Sequence, residues 1–304
     1  MRVGITVDDP GTVVAEARRA EALGFDFLGC GEHLFFHGPT PNSFAMLAAA
    51  AAVTSRIRLV TSIALLPLYP AVVVAKMAGV IDCISDGRFE LGVGAGGEYQ
   101  PEFAAAGVDP RTRFRRLDEG LEVIRRLFAG GSVTYEGTYA TLSGVALNPP
   151  PRQPGGPPIW LGGRKNGALR RAGQYADVWM PYMVEPAQVR DGLAKVRSAA
   201  DEHERSADSV SAALFAWTAV DADSSWARSI GVGAVSSAYN QDFSTLADRY
   251  LLIGAPDAVA ERLAQFAAAG VDTVLIQIAA DSTEHRSRII ETFASRVLPT
   301  VRNL

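Results

Sequence analysis

Residues 2–29 read RVGITVDDPGTVVAEARRAEALGFDFLG. The run Arg2–Val7 is short and β-branched, and Asp-Asp-Pro follows it, so it reads as a buried strand. Pro10 then opens a helix, because proline suits the first helical turn. Val13, Val14, Ala17, Ala20 and Leu23 recur at helical spacing, and Gly24 stops the helix. Phe25–Gly29 is the next strand. The stretch is one strand–helix–strand phrase.

The phrase recurs along the chain. A helix over 43–54 precedes strand 57–62, and a helix over 70–84 precedes strand 88–93. The helix over 113–128 is followed by an interruption. Residues 133–147 carry Thr-Tyr-Glu-Gly-Thr-Tyr, a hairpin signal with its turn at Glu136-Gly137. The proline-rich stretch Pro149–Pro158 leads into strand 159–161. Helix 167–173 precedes strand 177–180, and helix 187–203 precedes strand 210–220. An irregular stretch with some helix covers 223–252. Helix 256–269, strand 273–278 and a helix over 284–297 close the chain. Strands alternating with helices imply parallel pairing, and eight such units point to an α/β fold, the (β/α)8 TIM barrel. An open doubly wound sheet is the alternative, usually with fewer strands and a second domain. The expectation is one barrel domain over 1–304 with insertions near 130–158 and 223–252.

Composition narrows the class. Of 304 residues, 48% are hydrophobic and 20% charged, which is too apolar for a disordered chain. The net charge of −4 argues against a nucleic-acid partner. The two cysteines, Cys30 and Cys83, cannot form a disulfide framework, so a reducing cytoplasmic location is expected. Residues 1–10 lack the apolar core of a secretory signal, and the alanine-rich Ser43–Val53 is too short to span a bilayer.

In such a barrel, chemistry sits at the C-terminal ends of the strands. After strand two comes Cys30-Gly31-Glu32-His33-Leu34-Phe35-Phe36-His37. His33 is the leading catalytic candidate, since an imidazole titrates near neutrality. Glu32 can pair with it or with a backbone donor. His33 and His37 have a metal-like spacing, but Gly38-Pro39 argues for a loop and no third ligand clusters nearby, so no metal is expected. After strand four, Gly92, Gly94 and Gly97 match G-x-G-x-x-G. The context of a dinucleotide site fails, because no helix starts at once and the unit is the fourth. What remains is glycine letting backbone amides approach a ligand. After strand five, Gly162-Gly163-Arg164-Lys165-Asn166-Gly167 places two cations and an amide at a helix start. That is an anion site or a solvated basic turn.

Four phrases together resemble the bacterial luciferase-like family of barrel flavoproteins, and more closely its coenzyme F420-dependent subgroup. They are residues 20–33 (AEALGFDFLGCGEH), 56–97 (RIRLVTSIALLPLYPAVVVAKMAGVIDCISDGRFELGVGAGG), 157–179 (PPIWLGGRKNGALRRAGQYADVW) and 254–276 (GAPDAVAERLAQFAAAGVDTVLI). They occur in family order, and Asp82, Ser85, Gly87, Arg88, Gly92 and Gly94 are the most specific positions. The resemblance implies that His33, with Glu32 beside it, lies near the reactive face of a flavin or deazaflavin ring. It implies that Ser62 and Ile63 form a strand-three bulge backing the ring, where many members have a non-prolyl cis peptide. Gly94, Gly96 and Gly97 would line the cofactor, and Gly162, Gly163, Arg164, Lys165 and Asn166 its phosphate side. The F420 enzymes commonly carry an aspartate before the strand-two histidine; Glu32 stands there in this chain, a pair that also resembles the flavin monooxygenases.

The resemblance therefore implies an F420-dependent oxidoreductase moving a hydride to or from a small organic substrate. The alternative is an FMN-dependent monooxygenase fed by a separate reductase, and a third is a non-catalytic flavin-binding barrel. Substrate choice would rest on the loops around 35–41, 98–103 and 224–246. Their Tyr99, Trp226, Tyr239 and Phe243 make either an aromatic pocket or ordinary packing. Family members often dimerise through helices beside strands two and three, and the alanine-rich 45–52 and 72–78 would permit a homodimer.

Overall fold

Gly24 takes the left-handed conformation (φ 86°) that ends the first helix, and the chain then turns straight into its second strand. The computed structural model describes residues 1–304 and repeats this manoeuvre around a ring. The first half runs through β1 (Arg2–Thr6), α1 (Val13–Leu23), β2 (Phe27–Cys30), α2 (Ser43–Ala51), β3 (Arg58–Thr61), β4 (Ala64–Leu65), α3 (Ala71–Ile84) and β5 (Phe89–Gly94). Next come α4 (Gln100–Ala105), α5 (Arg113–Phe128), β6 (Val133–Glu136), β7 (Thr141–Val145), β8 (Ile159–Gly162), α6 (Asn166–Tyr175), β9 (Val178–Met180), α7 (Pro186–Asp201) and β10 (Ser211–Val220). The chain ends with α8 (Ser224–Tyr239), α9 (Ala247–Tyr250), β11 (Leu252–Gly254), α10 (Pro256–Ala268), β12 (Val271–Ile278), α11 (Thr283–Thr292) and α12 (Leu298–Val301).

The parallel order β1-β2-β3-β5-β8-β9-β10-β12 returns to β1, closing the predicted barrel. Such strands are buried on both faces, and β5 is buried at every residue. Inside the ring, Phe27, Val60, Trp160, Val178, Met180, Ala213 and Leu275 pack together, with Ile63 and Phe215 against them. Each large side chain removed from water contributes about 1.5–3 kcal/mol. Glu90 is buried within the ring. Its carboxylate accepts from Arg58 Nε and Trp160 Nε1, so the charge is paired rather than stranded. A larger core lies between the strands and the helices.

The specific positions of residues 82–88 turn out to be braces. The carboxylate of Asp82 accepts from the backbone N–H and Nε2 of Gln153, tying the proline-rich stretch to α3. Arg88 donates to the carbonyls of Ala51, Thr54 and Ile57, closing the end of α2. The hairpin forms where predicted, as β6 and β7.

Two expectations are corrected. The stretch 223–252 is mostly the regular α8, capped by Asp223, whose side chain accepts from the N–H groups of Ser225 and Trp226. Its serines, glycines and valines are poor helix formers, so tertiary packing decides it. Gly231 fits there because a Cβ would sit 2.6 Å from Ile253 and 2.8 Å from Ala219. The second correction is α4, a short helix where a loop was expected after the glycine run. No helix is long and apolar enough to cross a membrane.

Candidate active site at the barrel mouth

Because the strands are parallel, the ends of β2, β3, β5 and β8 open at one mouth, and most of the predicted site residues gather there. His33 follows β2. Its Nδ1 lies 3.2 Å from both carboxylate oxygens of Glu102 on α4, and its ring stacks on Phe36 at 4.3 Å. Glu102 is fully buried and also accepts from the N–H of Leu34 at 3.2 Å. The second ring nitrogen, Nε2, has no hydrogen-bond partner in the chain, and the side chain retains 19% exposure.

Of the two partners open to Glu32, His33 and a backbone donor, the structure shows the backbone donor. Glu32 is buried, and its carboxylate accepts from Asn42 Nδ2 (3.1 Å), the Ser43 N–H (3.0 Å), Ser43 Oγ (2.8 Å) and the Tyr69 hydroxyl (2.7 Å). It therefore anchors the start of α2. Burial, reinforced by the Glu32 charge, pushes the Tyr69 hydroxyl well above the usual tyrosine range. Tyr69 stays a donor, which suits its bond to the carboxylate. Burial likewise raises the Cys30 thiol at the end of β2, so it is not a reactive thiolate.

Beside β2, the Ser62–Ile63 peptide bond is cis. The N–H of Ser62 donates to the Cys30 carbonyl at 2.7 Å. Ile63 reaches across the ring between β5 and β8. A Cβ on Gly94 would overlap its Cδ1, and one on Gly162 would stand 3.0 Å away. Ser62, Ile63, Gly94 and Gly162 thus form one floor. Gly96 and Gly97 hold left-handed conformations (φ 62° and 115°) that favour glycine. The Gly163 carbonyl accepts from Trp179 Nε1 at 2.8 Å. Arg164 donates to the Met183 carbonyl and sits 5.8 Å over the Tyr182 ring. Lys165 and Asn166 are exposed at the start of α6, where Lys195 Nζ donates to Asn166 Oδ1 at 3.4 Å.

The Tyr182 hydroxyl donates to Glu98 at 2.7 Å, bridging the loops after β5 and β9. Burial, then the Glu98 charge, raises its pKa. The loop aromatics, open to either a pocket or ordinary packing, are dispersed. Tyr99 joins Phe36 and His37, while Tyr239 and Phe243 pack together with Trp217 beside Tyr239. Trp226 lies under Arg288 and against His285. No three His, Cys, Asp or Glu side chains converge as a metal site.

An open depression lies at the opposite end of the barrel, lined by Arg2, Asp26, Gly270, Asp272 and Arg302 among others. Its charges are satisfied locally. Arg2 pairs with Asp272 at 3.2 Å, and Asp26 accepts from the Val3 N–H at 2.8 Å. The convergent ionisable and unpartnered groups are at the mouth, which makes it the candidate site. Sequence reasoning missed Glu102, Tyr182 and Arg113, whose Nε borders Gly97. Pro101 in the first turn of α4 was the available signal for the helix that carries Glu102.

Comparison with known proteins gives the family. An uncharacterised protein of Mycobacterium tuberculosis (strain ATCC 25618 / H37Rv) is 33% identical over 173 residues, 57% of this chain and 59% of that protein. The pyrimidine monooxygenase RutA of Methylobacterium radiotolerans is 36% identical over 171 residues, 52% of this chain and 44% of RutA. The chain thus spans about half the length of the curated relatives it matches. The monooxygenase RslO1 from Streptomyces bottropensis superposes with a TM-score of 0.86 at 27% identity, covering 98% of this chain and 99% of RslO1. An F420-dependent secondary alcohol dehydrogenase has the same fold, with a TM-score of 0.85 at 21% identity over 99% of this chain and 100% of its own. The family model for luciferase-like monooxygenases matches residues 2–273, and the chain belongs to this family of oxidoreductases.

Proposed function

We propose that the protein is an oxidoreductase that binds coenzyme F420 at the barrel mouth and moves a hydride between this deazaflavin and a small organic substrate. The observation that carries the reading is His33, held through Nδ1 by the buried Glu102 with Nε2 unpartnered. Only two side chains in the whole chain bury a polar atom without a partner, Ser62 Oγ and Arg113 Nε, and both border this mouth. An unmet buried polar group costs about 1–3 kcal/mol, which a ligand's polar groups relieve. The residues present therefore fit a flat cofactor with polar edges and an anionic arm.

When bound, the deazaflavin supplies the hydride donor or acceptor. The chain's residues do the rest. Ile63, seated between Gly94 and Gly162, is an apolar support for the ring. Ser62 Oγ offers a hydrogen bond at its edge. His33 gives or takes a proton at Nε2, and Glu102 holds the ring orientation through Nδ1. Phe36 shields the imidazole from water. Arg164, Lys165 and Lys195 present three cations around the start of α6, more than one phosphate requires, and this favours the longer acidic tail of F420. Glu32 positions the β2 loop through α2 rather than taking part in proton transfer.

A second reading has its own support. RutA and RslO1 are both named monooxygenases, which favours FMN with reduced flavin delivered by a separate reductase. Titrating the apoprotein with F420 and with FMN, followed by fluorescence quenching, decides between them. Tighter binding of F420 is expected, and tighter binding of FMN transfers the assignment to the second reading.

A further inference from the structure

The floor made by Ser62, Ile63, Gly94 and Gly162 occupies one side of the mouth, on β3, β5 and β8. The other side is formed by β9, β10, β12 and β1, and the cofactor reading leaves it without a role. Side chains of a strand alternate between its two faces. Met180 and Leu275 lie inside the ring with Phe215 against them, so Tyr182, Gln277 and Trp217, each two positions further on, face the mouth. Trp217 and Gln277 are partners in the β10–β12 register, and Tyr182 bridges to Phe215. Gly29 joins this side to the floor: a Cβ there would stand 2.8 Å from Leu275 and 2.9 Å from Ser62 Oγ.

Two kinds of surface meet on this side. One is aromatic. The rings of Trp217 and Tyr239 stand edge to face with centroids 6.2 Å apart, both half-buried, and Phe243 backs Tyr239 at 5.6 Å. The other is an amide joined to a carboxylate. Thr6 Oγ donates to Gln277 Oε1, and Gln277 Nε2 donates to Asp8 Oδ2 at 3.1 Å. Asp8 is exposed, and no other donor and no cation of the chain meets its carboxylate. The nearby cations are engaged: Arg286 with Glu16 at 2.8 Å and Arg288 with Asp221 at 2.6 Å. The adjacent Asp9 accepts from the Gly11 N–H at 2.8 Å and from Thr12 Oγ at 3.3 Å. Asp8 is thus held in place and left unpaired. Its charge adds to burial and to Glu32 in raising the Cys30 thiol, which puts it beside the end of β2 and the His33 loop. A fixed, unpaired carboxylate next to open aromatic faces suits an organic ammonium, which takes charge-assisted hydrogen bonds from the one and ring-face attraction from the other.

We propose that the substrate is an organic amine, bound as its ammonium by Asp8 with its apolar body against Trp217 and Tyr239. The inference rests on the cofactor reading above, with F420 or with FMN, and adds the substrate class. The ammonium is an anchor, outside the proton transfer at His33.

Calorimetric titration of the cofactor-loaded protein with 2-phenylethylamine, 2-phenylethanol and phenylacetate tests it, since the three differ chiefly in charge. The amine is expected to bind about tenfold or more tighter than the alcohol, and the carboxylate most weakly. Asp8→Asn should remove the advantage of the amine and leave the affinities for alcohol and cofactor unchanged. Asp8→Glu, which keeps the charge, should retain part of that advantage, and Trp217→Leu should weaken amine and alcohol alike. Equal weakening toward amine and alcohol in Asp8→Asn assigns Asp8 to the architecture of the mouth and overturns the inference. Unchanged amine binding in Asp8→Asn or in Trp217→Leu overturns it too, as does a loaded wild type that shows no preference for the amine or binds none of the three. A chain that takes up neither F420 nor FMN overturns the cofactor reading and this inference with it.

Discussion

His33 draws its carboxylate partner from 69 positions away, while the glutamate next to it in sequence is committed to another helix. His33 was legible because the barrel pattern restricts attention to strand ends. Glu102 was not, since only closure of the fold brings α4 against the β2 loop. The two residues carry a joint prediction. His33→Ala should leave cofactor affinity within a few-fold and lower turnover by about a hundredfold or more. Glu102→Gln keeps the volume and an acceptor for the Leu34 N–H but loses the second carboxylate oxygen that holds His33 Nδ1, so turnover should fall by about tenfold or more with affinity again retained. Steady-state kinetics alongside fluorescence titration checks both, and unchanged turnover in either variant removes that residue from the proton path.

α2 shows how a residue that looks chemical can be structural. Its first turn leans on Glu32, which collects two side-chain donors and one N–H from Asn42 and Ser43. Glu32→Ala should lower stability by about 1–3 kcal/mol in denaturant unfolding, because buried donors lose their acceptor. Unchanged stability together with lost turnover would return Glu32 to the reaction. Elements with strong local signals were legible, such as α5 with its regular apolar face and α1 ending at Gly24. The run SSWARSIGVGAVSSAY lacks such a signal, and α8 exists because Asp223 and Asn240 cap it and β10 and β11 receive it. β4 and β11 escaped notice at two and three residues, too short for any alternation to register.

The closed ring was the most legible feature, since eight repeats of one phrase leave few other arrangements. Assembly beyond one chain depends on surface that no periodicity marks. α3 leaves Val72, Val73 and Ile84 between 39% and 49% exposed, next to the alanine-rich α2. With the resemblance to dimeric family members, this leads to an expected solution mass of about twice the 32.3 kDa chain. Small-angle scattering giving the mass of one chain would remove the dimer. The floor of the mouth has a further consequence for how such a molecule can change over time. Ile63 occupies space that Gly94 and Gly162 leave by lacking side chains. A side chain at Gly94 alone collides with Ile63, and one at Gly162 presses on it, so a larger residue at either position calls for a smaller one at 63. A redesign seeking a deeper mouth therefore begins by trimming Ile63, with the glycines left as they are.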